Sequence, residues 1–144
     1  MIAAIAETGA TLAFDAIGGG SLGGRILDAM ERVASRSMTT FSHYGSSTLK
    51  QLYIYGSLDR APTTLARTFG LTWSVGGYLV MNAMRKLGPE AVGRMFKRVN
   101  AELKTTFASH YTRTVSLAGA LQADAIADYG RRATASKVLI DPSA

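Results

Sequence analysis

The residues best placed to do chemistry are glycines. Gly18, Gly19, Gly20, Gly23 and Gly24 fall within seven positions, directly after the apolar run from Thr11 to Ile17. Gly18, Gly20 and Gly23 satisfy G-x-G-x-x-G, a spacing that lets backbone approach a pyrophosphate at the start of a helix. So dense a cluster meets that spacing easily. The acidic residue that should hold the ribose hydroxyls is also absent from the end of the next apolar run, where Tyr55 and Gly56 stand. Asp15 lies before the glycines, on the wrong side. The better reading is a glycine turn at the carboxyl end of a later strand, the edge where open α/β sheets bind ligands. Glycines that merely serve a tight turn are the competing explanation.

Other reactive groups are sparse. His43, in Phe-Ser-His-Tyr-Gly, is expected in a polar loop near the carboxyl side of the sheet. There it or Tyr44 could donate a proton, against the plainer reading of a loop histidine satisfied by its surroundings. His110 has no carboxylate at readable spacing. A metal centre needs three or four ligands, and two distant histidines without a single cysteine do not supply them. The lack of cysteine also removes disulfides and thiolate nucleophiles. No Ser-His-Asp arrangement can be placed.

The elements that must position these residues follow from the hydrophobic pattern. In 144 residues, 47% hydrophobic, there is enough apolar material for a core of one domain or a large piece of one. No apolar run approaches the length of a membrane span, and the start lacks the basic residues of a signal peptide, so a cytoplasmic protein is expected. Thr11 to Ile17 reads as a mostly buried strand, and Arg25 to Arg36 as an amphipathic helix with Ile26, Leu27, Met30, Val33 and Ala34 on one stripe. A polar loop, 37–47, leads to a second strand, Leu52 to Tyr55. Strand, helix and strand together imply parallel pairing with a right-handed crossover. Pro62 is expected to break the chain. The alternation from Phe69 to Val75 suggests a third strand.

Tyr78 to Leu87 reads as a helix closed by Gly88, with Pro89 opening another that carries Val92, Met95, Phe96, Val99 and Leu103. The stretch from Thr105 to Ser116 looks irregular. Ser116 is a potential cap for a further helix with Leu117, Leu121, Ala125 and Tyr129 inward, and Lys137 to Ile140 forms a last strand. A strand pair with one crossover leaves a sheet face and an edge uncovered, so a missing N-terminal region or a second copy should cover them.

Several residues also carry a family resemblance. Phe-Asp-Ala-Ile-Gly-Gly-Gly at 14–20 resembles the Asp-x-x-Gly-Gly turn that ends the fourth strand of the nucleotide-binding domain in medium-chain dehydrogenases/reductases. Tyr53-Ile54-Tyr55-Gly56 resembles that family's next strand. The closing run Arg131-Arg132-Ala133-Thr134-Ala135-Ser136-Lys137-Val138-Leu139-Ile140 is similar to its Arg-x-Thr-x-Gly-Lys ending, with Ser136 in place of the usual glycine. The helix expected from Ser116 matches the penultimate helix but lacks its customary Ala-His pair. The overall likeness is to the zinc-independent quinone reductases.

The resemblance implies an α/β fold: the C-terminal part of a Rossmann-like parallel sheet with flanking helices and a returning C-terminal helix–strand segment. Residues 1–104 would belong to the nucleotide-binding domain, and 105–144 would return to a catalytic domain that is not visible in this sequence. It implies a C-terminal portion of an NADPH-dependent oxidoreductase, inactive alone, whose full-length form would pass hydride to a quinone or enone. Gly18, Gly19, Tyr55, Gly56 and Ser57 would border the nicotinamide half of the cofactor, and Arg132 would reach a phosphate. No metal is implied.

Two other functions remain open. The chain could be an association module, forming a homodimer through an edge strand near Phe69–Val75 with Trp73. Its net charge of +6 could also serve nucleic-acid binding, but the basic residues are scattered and not interleaved with aromatics, so no nucleic-acid partner is expected. The densest basic stretch, Arg94, Lys97, Arg98 and Lys104, has the spacing of a solvated helix face.

Overall fold

The computed structural model describes residues 1–131 and 137–143. They form two compact units, Met1–Lys86 and Leu87–Ala144. The expected boundary at 104/105 falls within the second unit.

The first unit is built on three parallel strands: β1 (Leu12–Asp15), β3 (Lys50–Ile54) and β5 (Trp73–Gly77), in the spatial order β1-β3-β5. A second, two-stranded parallel sheet pairs β2 (Gly18–Gly20) with β4 (Asp59–Thr63). Helices α1 (Ile2–Thr8) and α2 (Leu22–Ala34) contact each other, and α2 packs on the larger sheet. Of the α2 stripe anticipated from the sequence, Leu27 and Met30 are buried while Ile26 and Val33 pack half-buried against them; Ala29, outside that stripe, also joins Ile5, Leu52 and Phe69 in the core. Side-chain alternation sends Ala13, Leu52, Ile54 and Val75 to this side, where they pack on that core. Burying a side chain such as Leu27 or Phe69 contributes about 1.5–3 kcal/mol.

Several expectations shift. α2 starts at Leu22, three residues early, because Gly23 and Gly24 lie inside its first turn. A Cβ on Gly23 would stand 2.6 Å from Leu52 Cδ2, so glycine there lets the helix sit close on the sheet. Pro62 does not break the chain but lies within β4, a short and fully exposed strand where proline is tolerated. The third strand runs from Trp73 to Gly77, and Phe69 is instead a core residue that meets Trp73 edge to face at 5.1 Å. β1 is buried on one face only. Asp15 is enclosed while Leu12 and Phe14 are exposed on the other side.

In the second unit, β6 (Arg113–Ser116) pairs in parallel with β7 (Val138–Asp141), so the stretch expected to be irregular ends in a strand. Ser116 does not cap a long helix. Its Oγ accepts the Gly119 N–H (3.1 Å) at a short 3-10 turn, and α4 (Ala123–Gly130) begins afterwards. Ala125 is buried as expected, whereas Leu117, Leu121 and Tyr129 are exposed, Tyr129 donating its hydroxyl to the Ala120 carbonyl (3.0 Å). Between the units' sheets the chain runs through α3 (Val80–Ala101), two helices joined at Gly88, whose φ of 78° explains the glycine. Arg94 and Arg98 are exposed and paired with Glu90 and Glu102. Among the described residues no helix is long and apolar enough to cross a membrane.

The sequence reading missed the strongest polar interaction. Lys50 is fully buried at the first position of β3, with Nζ 2.5 Å from Glu31 Oε2 on α2. Nζ also donates to Ser46 Oγ (3.2 Å) and the Thr48 carbonyl (2.9 Å). Glu31 accepts from Ser46 N–H and Oγ (both 2.7 Å) and from Ser35 Oγ (2.9 Å). Burial pushes the Glu31 carboxyl up. The hydrogen bonds from Lys50, Ser46 and Ser35 outweigh it and bring the pKa from 4.5 to about 2. A depressed folded pKa means stability that is present above pH 4.5 and lost as pH falls toward 2. The stability gap between wild type and Glu31→Gln should therefore be full at neutral pH and close over that window in urea titrations. Lys50→Met, which strands the carboxylate, should cost about 3–5 kcal/mol at pH 7.

Candidate functional site

The parallel strands end together at Asp15, Ile54 and Gly77. Asp15 shapes the turn that follows. Its Oδ1 accepts the N–H groups of Ile17 (2.8 Å) and Gly18 (3.3 Å), while Oδ2 is buried without a partner among the described residues. This Asx turn sets Gly18 at φ 85°, a conformation open to glycine. Tyr55 N–H donates to the Asp15 carbonyl (2.9 Å) and Asp59 N–H to the Ile17 carbonyl (3.0 Å), binding the two strand ends together. Thr63 Oγ1 closes the far side on the Gly18 carbonyl at 2.6 Å.

The glycines expected around a cofactor do two jobs. A Cβ on Gly18 would lie 2.6 Å from the Gly56 carbonyl oxygen, and one on Gly56 would lie 2.1 Å from the Ala16 oxygen. A Cβ on Gly19 would stand 2.7 Å from both Ala61 O and Asp59 Cγ. Gly18, Gly19 and Gly56 are thus brought together as expected, and their missing side chains make room for the crossing of two backbone segments. Tyr55 and Ser57 flank that crossing and are exposed. Arg132 lies outside the described residues.

Beside the crossing, Phe14, Tyr55, Tyr78, Leu79 and Val80 line an apolar cleft of about 500 Å³. Phe14 meets Tyr78 edge to face at 5.1 Å, Tyr55 at 6.4 Å, and stacks on Tyr53 at 5.7 Å. Phe14 and Tyr55 are about half exposed, at 50% and 56%, so the wall is available to a planar ligand. Phe14 and Tyr78 were not anticipated. The signal was present: Phe14 alternates with the inward Asp15, and Tyr78 follows the strand-ending Gly77, its N–H donating to the Ile54 carbonyl (2.8 Å).

His43 is not at this edge. Leu71 N–H donates to the Tyr44 carbonyl (2.9 Å) and Lys50 N–H to the Thr72 carbonyl (3.1 Å), so its loop is tied to the amino ends of β3 and β5. There His43 meets Phe41 edge to face at 4.8 Å and joins Asp28, Glu31, Arg32, Arg67 and Thr68 around a cleft of about 790 Å³. Arg67 has φ 54°, the one non-glycine residue with positive φ among those described. His110 is exposed. No group of three or more His, Asp or Glu among the described residues is arranged to hold a metal ion.

No family model and no curated protein matches this chain. A solved structure from Mesorhizobium loti, described as a "putative NADPH:quinone reductase", is similar in fold, with a TM-score of 0.59 at 21% identity. The likeness covers 98% of this chain and 37% of that one. The fold is mixed α/β with parallel sheets and flanking helices, similar to that reductase's. This chain spans a little over a third of the length of the protein it resembles.

The crossing can be tested by adding one methyl group. Gly56→Ala has no room and should destabilise the chain by about 3 kcal/mol or more, read as a fall in Tm. Gly77→Ala, with nothing within 4 Å of its Cβ, should change stability by less than about 1 kcal/mol.

Proposed function

We propose that this chain is the C-terminal portion of an NADPH-dependent oxidoreductase acting on a quinone, enone or related carbonyl, and that it contributes the nicotinamide side of the cofactor site. One observation carries the reading: an apolar aromatic wall stands beside an Asx-locked glycine turn at the carboxyl edge of a parallel sheet. That edge is where such sheets bind dinucleotides. The fold of the Mesorhizobium loti protein supports it.

The residues present fit the ring half of NADPH. Phe14, Tyr55 and Tyr78 offer a face for a planar ring, with Leu79 and Val80 completing the apolar lining. When bound, the cofactor supplies the hydride. The work of this chain is to orient the ring and keep water from one side of it. Asp15 positions the turn, and Gly18 and Gly56 hold the two segments in contact. The remainder of the site belongs to sequence outside this chain.

A second reading has its own observation. β5 lies at an edge of the three-stranded sheet, with one side unpaired among the described residues. A second copy pairing there would make the chain a homodimeric association module with no ligand at all.

Calorimetry with NADPH, against NADH and heparin as controls, separates the two. Saturable binding that favours NADPH, survives 0.3 M salt (roughly twice the physiological level) and weakens in Tyr55→Ala supports the oxidoreductase reading. No binding by the folded chain, together with a mass that doubles on concentration in sedimentation, supports the module.

A further inference from the structure

We propose a second ligand site at the opposite end of the sheet, one that takes a small planar aromatic carboxylate. It is the cleft of about 790 Å³ at the amino ends of β3 and β5, walled by the C-terminal half of α2. The proposal does not rest on the nucleotide reading, whose residues lie at the carboxyl ends of the same strands.

The charges on the walls of this cleft favour an anion. Two carboxylates face this cleft, and both are matched. Asp28 accepts from Arg32 Nε (2.7 Å) and from Thr68 Oγ1 (2.9 Å), and Glu31 is held by Lys50 (2.5 Å). Arg67 is left over. Among the described residues it has no carboxylate partner, so the wall carries one unmatched positive charge. Its planar fork suits one carboxylate, bound through two parallel hydrogen bonds. Arg67 also holds the left-handed backbone noted above, φ 54°. Strain of that kind collects at ligand clamps, because surrounding structure must enforce it.

The ring partner stands on the rim. Phe41 is 80% exposed, far more than packing would leave it, and its edge-to-face contact with His43 orients it. Phe41 lines both this cleft and an adjoining recess of about 390 Å³, so a ring against it would sit between the two. A carboxylate on Arg67 with its ring toward Phe41 satisfies both residues in one molecule.

The test is titration of the folded 144-residue chain with benzoate, followed by amide NMR shifts at Gly45, Thr68 and Gly70 and by calorimetry. Benzyl alcohol and cyclohexanecarboxylate are the uncharged and non-planar controls. Arg67→Gly is the decisive variant, because glycine accepts the left-handed backbone and the fold should hold or gain in Tm. Expected are saturable benzoate shifts at those amides, weaker binding of both controls, and affinity lowered about tenfold or more in Arg67→Gly. Phe41→Ala should weaken benzoate more than cyclohexanecarboxylate. Undiminished affinity in folded Arg67→Gly overturns the proposal. So does equal binding of benzyl alcohol, or the absence of saturable shifts in the wild-type chain.

Discussion

Lys50 begins the central strand with its entire side chain out of water, and a charge in that position is tolerable only while Glu31 faces it. The pair joins α2 to the first residue of β3, and the same carboxylate gathers Ser46 from the loop between them. Three separate segments are therefore fixed by one anion. The apolar core settles that α2 lies on the sheet. The ion pair settles at what height along the sheet it lies, because a slip by one turn would leave two charges buried and apart. Everything at the carboxyl edge inherits that register, including the start of α2 beside the glycine turn.

The order β1, α2, β3 and β5 is legible because the periodicity of those segments is clean, whereas α1, β2 and β4 carry no such pattern. The stripe Ile26, Leu27, Met30 and Val33 could only be a helix face, and LYIY only a strand. What escaped was whatever depended on pairing across distance. Lys50 shares the inward parity of Leu52 and Ile54, which was a usable clue, yet nothing local shows that Glu31 waits opposite. Pro62 reads locally as a breaker, and only the partner strand at Gly18–Gly20 explains its place in β4. His43 lies at the amino end of the sheet rather than the expected carboxyl end; a loop of that length gives no sign of which strand ends will hold it. In the candidate site the glycines were recognised by their type and spacing. Their neighbours Phe14 and Tyr78 were passed over because each reads alone as ordinary core.

The two units differ in how far they satisfy themselves. The first encloses Leu27, Leu52 and Phe69 almost completely. The second buries only Val115, Ala120 and Ala125 among its described apolar residues, while Leu117 is 63% and Leu121 75% exposed. A strand pair, a short helix and the part of α3 that follows Gly88, which buries none of its residues, offer too little surface to close a core of their own. The uncovered sheet face around Phe14 poses the same problem in the first unit.

The crossing of Gly18 over Gly56 bears on how such a site can change over evolutionary time. A methyl group at 56 would lie 2.1 Å from the Ala16 oxygen, so drift at this position is closed whatever the ligand. Tyr55 and Ser57 on either side, and Phe14 and Tyr78 across the cleft, are under no such steric restriction. Invariance and variability are thereby sorted onto different atoms of one loop. A lineage can exchange the side chains that line the cleft without disturbing the backbone contact that keeps the edge intact.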